Sequence, residues 1–198
     1  SYETTSSRPQ SMTDPKTQVT TYSYFAADRL LSVTFTSELN ATPDISFTYD
    51  GAYGRMASMV DGTGTTTYAY HPVAVLGATQ LASVDGPLTN DTITYVYDEL
   101  GRVTTRAIDG AANTLTWSFD ALGRVTSEAD VLGTFTYTYE GVTSRVATVT
   151  YPNGQTSAYS YLGNSQDHRL ETIHHKYPNG STLSKFDLAT PPPSFRQF

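Results

Sequence analysis

Tyr97-Asp98-Glu99-Leu100-Gly101-Arg102-Val103-Thr104 decides the reading of this chain, because the chain says it more than once. It returns as Phe119-Asp120-Ala121-Leu122-Gly123-Arg124-Val125-Thr126, and stands earlier as Tyr49-Asp50-Gly51-Ala52-Tyr53-Gly54-Arg55-Met56. A motif at a recurring period settles architecture before any single side chain does. It also turns the expectation of function toward a surface or container built from tandem units.

Working outward, each unit can be anchored on its last strand aromatic: Tyr24, Tyr49, Tyr70, Tyr97, Phe119, Tyr139, Tyr161 and Phe186. Neighbouring anchors are 20 (Phe119 to Tyr139) to 27 (Tyr70 to Tyr97) residues apart, which is two short strands and two turns, one hairpin per repeat. Arg29, Arg55, Arg102, Arg124, Arg145 and Arg169 follow the anchors in the same register, and the third copy carries Leu81 where the others have Gly-Arg. The array therefore spans 18–187, with a polar lead-in of little order at 1–17 and a divergent Pro-rich tail at 188–198.

Between the turn signals the sequence alternates. In Thr92-Ile93-Thr94-Tyr95-Val96-Tyr97-Asp98, residues 93, 95 and 97 face one way and 94, 96 and 98 the other. Leu115, Trp117 and Phe119 align with them in the next unit, and Phe135, Tyr137 and Tyr139 in the one after. Stacked hairpins would set these side chains in an aromatic row, each beside its equivalent, with threonines on the opposite face. Cross-strand aromatic pairs contribute about 0.2–1 kcal/mol each. Asp98 and Asp120 are placed to accept hydrogen bonds from turn N–H groups, and Gly101 and Gly123 to supply a positive φ. A second set of turns is marked by Asp61-Gly62, Asp85-Gly86, Asp109-Gly110, Asn153-Gly154 and Asn179-Gly180. The fold class expected is all-β: tandem antiparallel β-hairpin repeats forming a curled or barrel-like sheet of about fourteen to sixteen strands.

Composition narrows the function classes. The chain has 198 residues, no Cys and a net charge of −7. Its only lysines are Lys16, Lys176 and Lys185, so nothing neutralises a phosphate backbone and no nucleic-acid partner is expected. No apolar run approaches the ~20 residues of a membrane helix. His174 and His175 are strand neighbours that point to opposite faces, so they cannot share an ion without a distortion, and a metal site would need an acid of a neighbouring hairpin such as Asp167 or Glu171; no metal and no cofactor are expected. No Gly-x-Ser-x-Gly and no phosphate loop occurs.

The repeated Tyr-Asp-x-x-Gly-Arg, with Tyr151-Pro152-Asn153-Gly154 and Tyr177-Pro178-Asn179-Gly180, resembles the YD or RHS repeat. The resemblance implies hairpins wound into a shell, as in RHS polymorphic toxins, insecticidal toxin complexes and the barrels of teneurin receptors. It implies a secreted or surface protein of bacterial type, acting in encapsulation of a polypeptide cargo or in adhesion to a cell-surface ligand. A full shell takes more repeats, and nothing after Phe186 resembles the family's self-cleaving core, so the chain reads as a stretch of array.

A second function class stays open. Asp98, Asp120 and Glu140 share one register, and equivalent residues of adjacent hairpins lie about 9.5 Å apart, two strand spacings. That suits the catalytic pair of an inverting glycosidase. Tyr95, Trp117 and Tyr137 would then stack on a glycan. The plainer reading makes the acids turn-closers and the aromatics packing. The arginines could pair with acids of the next turn or bind an anion. Finally, Val19-Thr20-Thr21-Tyr22-Ser23-Tyr24 carries no charge and no Pro, and Thr182–Phe186 a single Lys, so both edges invite pairing. They are expected to be covered, by closure into a barrel or by an edge-to-edge homodimer.

Overall fold

The computed structural model describes residues 1–188 except Thr5, Ala26 and Leu39; the tail expected from 188 lies, from 189 onward, outside the described residues. Sixteen antiparallel strands form one sheet in sequence order. They are β1 Ser11–Thr13, β2 Val19–Tyr24, β3 Leu30–Thr36, β4 Ile45–Tyr49, β5 Met56–Asp61, β6 Gly64–Tyr70, β7 Leu81–Asp85 and β8 Ile93–Tyr97. There follow β9 Val103–Ile108, β10 Asn113–Phe119, β11 Val125–Asp130, β12 Gly133–Tyr139, β13 Val146–Thr150, β14 Thr156–Tyr161, β15 Leu170–Lys176 and β16 Thr182–Asp187. A single 3₁₀ turn, Asn164–Gln166, is the only helical element among the described residues. The anchors Tyr24, Tyr49, Tyr70, Tyr97, Phe119, Tyr139 and Tyr161 each end a strand.

Chain contacts fall into two units, Ser1–Arg102 with Ala107–Ala111, and Val103–Arg106 with Ala112 onward. Within each unit the strands touch their sequence neighbours, so stability is a sum of nearest-neighbour terms. Burial is correspondingly shallow: among the described residues only Val33, Gly77, Tyr97, Ala107 and Ser157 are buried. The alternation is visible in β8, where Ile93, Tyr95 and Tyr97 are the covered side and Thr94 and Val96 the exposed one.

One irregularity recurs. The pairing skips a residue just before the terminal aromatic at Ser23/Tyr24, Thr48/Tyr49, Ala69/Tyr70, Ser118/Phe119, Thr138/Tyr139 and Ser160/Tyr161. Phe119 thus faces Val125 while Trp117 faces Glu128. This β-bulge flips the parity of the return strand, so residues three apart share a face. It explains the pairs Leu30/Val33, Met56/Met59, Leu81/Val84, Val146/Val149 and Leu170/Ile173 at positions 1 and 4 of their strands.

Two expectations change. The aromatic row is interleaved, because each hairpin's return strand lies between one aromatic strand and the next: Trp117 and Phe135 are both register partners of Glu128. The sheet is also open, with β1 and β16 at the two ends of the strand order. Among the described residues β1 pairs only with β2 and β16 only with β15, so no pairing between the two end strands accompanies the expected closure.

Candidate functional site

The motif residues assemble at the turn that ends each aromatic strand. In the turn 98–102, Asp98 N donates to Arg102 O at 2.9 Å and Gly101 N to Asp98 O at 3.0 Å. The Asp98 Oδ1 accepts the N–H groups of Leu100 and Arg102, both at 2.9 Å. Its Oδ2 takes the Arg102 guanidinium, Nε at 2.6 Å. Turn 120–124 repeats every contact: Leu122 N and Arg124 N to Asp120 Oδ1 at 2.9 Å, and Arg124 Nε to Oδ2 at 2.7 Å. Asp50 holds Arg55 Nε at 2.7 Å, and Glu140 holds Arg145 Nε at 2.5 Å. The arginines therefore pair with the acid of their own turn.

Three of these arginines then reach forward to the next repeat. Arg55 lies over Tyr70 at 4.1 Å, Arg124 over Tyr139 at 4.4 Å and Arg145 over Tyr161 at 5.6 Å. The covered tyrosine donates its hydroxyl to the carbonyl of the residue after that arginine: Tyr70 to Met56 at 2.9 Å, Tyr139 to Val125 at 2.6 Å, Tyr161 to Val146 at 2.9 Å. Arg124 Nη1 also donates to Gly141 O, 2.8 Å, in the following turn. Acid, arginine and next tyrosine thus form a clamp between consecutive repeats. This gives every letter of Tyr-Asp-x-x-Gly-Arg a physical reason. The glycine has two: Gly54 and Gly101 sit at φ 65° and 74°, and a Cβ on Gly54 would come within 2.0 Å of Arg29 Nη1.

The variants of the clamp are instructive. The first lies at residues 2–9, inside the stretch read as lead-in. There Glu3 N donates to Arg8 O, Arg8 Nε to Glu3 at 2.7 Å, and Arg8 lies 4.8 Å over Tyr24. The Tyr24 hydroxyl reaches Pro9 O at 2.9 Å. Tyr2-Glu3 followed by Arg8 was the available sequence signal, hidden by a longer turn. In the third copy Gln80 takes the arginine's place and the His71 ring packs edge-on against Tyr97, 5.5 Å between centroids. In the second turn the acid is missing. Phe25 occupies its place, and Arg29 Nε and Nη1 are buried without a hydrogen-bond partner, although Arg29 still lies 4.9 Å over Tyr49.

The electrostatics follow. Burial pushes the Asp98 carboxyl up, but the N–H and guanidinium of Arg102 and the N–H of Leu100 outweigh it and bring it below the usual carboxylate range. The Asp120 carboxyl is lowered first by the Arg124 N–H, against burial, and further by the Arg124 guanidinium. Asp50 is lowered chiefly by the Tyr53 N–H and the Arg55 guanidinium. Burial raises the phenols of Tyr70, Tyr97, Tyr137 and Tyr161.

The glycan candidates lie elsewhere. Tyr95 in β8, Trp117 in β10 and Tyr137 in β12 are half-buried on strand faces away from the turn acids. Trp117 and Tyr137 share their face with a carboxylate that reading by strict alternation misses. Glu128 is the register partner of both Trp117 and Phe135, and its charge helps to raise Tyr137. It occupies position 4 of β11, where other return strands carry Val33, Met59, Val84, Val149 or Ile173. Arg106 holds the matching position of β9, its Nε buried and without a hydrogen-bond partner. In β14, Ser157 is fully buried and bonds His175 Nδ1 at 2.7 Å and the Tyr151 hydroxyl at 3.1 Å. A serine with no exposure to solvent has no route to a substrate. Among the described residues no group of three or more His, Cys, Asp or Glu could hold a metal ion.

Comparison with known proteins agrees with this geometry. The family described as RHS Repeat matches residues 119–156, which hold the complete Asp120–Arg124–Tyr139 clamp. Residues 119–156 carry an RHS repeat. The crystal structure titled TcdB2-TccC3-TEV is similar to it over 91% of this chain and 10% of that one, with a TM-score of 0.69 at 16% identity. The Tc holotoxin pore structure of Photorhabdus luminescens, with the mutation TccC3-D651A, is similar over 91% and 10%, at TM-score 0.68 and 17% identity. These likenesses show the fold, and the chain spans about a tenth of the length of those proteins. No curated protein sequence matches it.

Proposed function

We propose that this chain is a wall-building module of a secreted or cell-surface bacterial protein, serving encapsulation of a polypeptide or adhesion. The observation that carries the reading is the clamp. The most regular charged groups of the repeat, Asp50, Asp98, Asp120 and Glu140, each hold the arginine of their own turn, and Arg55, Arg124 and Arg145 in turn join one hairpin to the next. Such groups build surface and leave little for chemistry. One of the similar structures is a Tc holotoxin pore, which supports a toxin-type setting. Partners would then be other parts of such an assembly. The open edge at β16, where Leu183 and Phe186 are 46% and 53% exposed, could also pair with a second copy. Sedimentation that finds only monomer at high concentration would remove the homodimer.

A second reading, a carbohydrate-active protein, is favoured by one observation: Trp117, Phe135 and Tyr137 share a face with Glu128. In that reading Tyr95, Trp117 and Tyr137 bind glycan, and Asp98, Asp120 or Glu140 would have to leave its arginine to act. A panel of chromogenic glycosides and esters separates the two. The wall reading expects no turnover. Turnover abolished by Asp98→Asn, Asp120→Asn or Glu140→Gln without unfolding would replace it with the glycosidase reading.

A further inference from the structure

We infer that Glu128, set between Trp117 and Phe135, is a docking point for a lysine or arginine side chain of an extended polypeptide lying across the half-buried face of the second unit. The inference rests on the encapsulation reading and names the chemistry of what is enclosed.

Three observations point to a cation. The first is the break in the pattern. Position 4 of the return strand is apolar in β3, β5, β7, β13 and β15, where it packs beside aromatic side chains, and in β11 it is a carboxylate. The second is the absence of a counter-charge. Asp50, Asp98, Asp120 and Glu140 each hold an arginine, whereas the Glu128 side chain has no ion pair or hydrogen bond among the described residues. The third is the setting. Register places Glu128 directly across from Trp117 on one side and Phe135 on the other, with Tyr137 one step along the same face. Directly opposed side chains start about 4.5–5.5 Å apart at Cβ. A carboxylate flanked by aromatic rings offers charge and π-faces together, the combination that binds guanidinium and ammonium groups. A neutral sugar would stack on the rings but leave the charge unpaired. The net charge of −7 favours approach of basic segments. Arg106, at the matching position of β9, opposes a cation, so its removal should tighten binding.

Trp117 is the chain's only tryptophan and reports on the site directly. The probe is Ac-Gly-Ser-Arg-Ser-Gly-NH₂, titrated into the full chain at low salt while Trp117 fluorescence is followed. The control peptide replaces arginine by citrulline, which keeps shape and loses charge. A saturable change with arginine, and binding about tenfold weaker with citrulline, is expected. Glu128→Gln should weaken the arginine peptide about threefold or more, while Glu99→Gln, an exposed acid with the same effect on net charge, leaves it unchanged. Arg106→Gln should strengthen it. Circular dichroism and melting confirm that each variant is folded. No saturable change, equal binding of the citrulline peptide, or equal loss in the Glu128 and Glu99 variants would overturn the inference. A saturable response to neutral cello- or chito-oligosaccharides in place of the arginine peptide would overturn it in favour of a glycan site. The arginine-peptide outcomes leave the wall reading standing, since the glycoside panel tests it separately; an oligosaccharide response would instead favour the carbohydrate reading.

Discussion

Arg29 shows what one residue does in this fold. Its turn has the same backbone hydrogen bonds as the others, Phe25 N to Arg29 O at 2.8 Å and Asp28 N to Phe25 O at 3.1 Å, but Phe25 stands where Asp50, Asp98 and Asp120 stand. The guanidinium keeps its tyrosine and loses its acid. Buried donors without partners cost about 1–3 kcal/mol. Phe25→Asp should therefore raise the melting temperature, despite loss of the edge contact between Phe25 and Tyr49. The gain should vanish on an Arg29→Gln background, as a double-mutant cycle would show. An equal gain in both backgrounds would mean that the acid acts without the arginine.

At the scale of the element, the turn and the bulge carry the repeat. Gly101 combines a φ of 74° with Gln80 Nε2 only 2.6 Å from where a Cβ would stand. Gly123 has a φ of 80°. Gly101→Val and Gly123→Val should each destabilise by more than about 1 kcal/mol, which in a chain of this size lowers melting by about 2–4 °C or more. Unchanged melting in both would refute the turn geometry. The turns were legible in the sequence because Asp, Gly and Asn-Gly act locally. The bulge was not, since an extra residue in one strand has meaning only once its partner strand is beside it. Strict alternation from Val125 sends Glu128 to the threonine side, and the bulge returns it to the aromatic side.

For the molecule as a whole, a single layer with shallow burial leans on its ladder of clamps, and that predicts how it responds to pH. Asp50, Asp61, Asp98 and Asp120 are all lowered in the folded state. A depressed carboxyl adds stability that is fully present above its unfolded value, about 3.9, and is lost as pH falls through the lower folded value. Melting should hold steady from about pH 7 to 5 and drop below about pH 4, with Asp98→Asn and Asp120→Asn showing a shallower acid loss. A flat profile down to pH 2 would mean that the carboxylates do not support the fold.

The sequence by itself determined the period, the hairpin, the strand ends and the turn chemistry, because each is written in residues close together in the chain. Tyr97-Asp98 and Gly101-Arg102 announce a turn wherever they occur. Only the tertiary structure decided what the letters are for. The arginine's acid is its own turn's, its tyrosine belongs to the next repeat some 15 residues on, and no local signal joins them. It also decided that a carboxylate stands unpaired among aromatics, since that follows from which strands lie side by side.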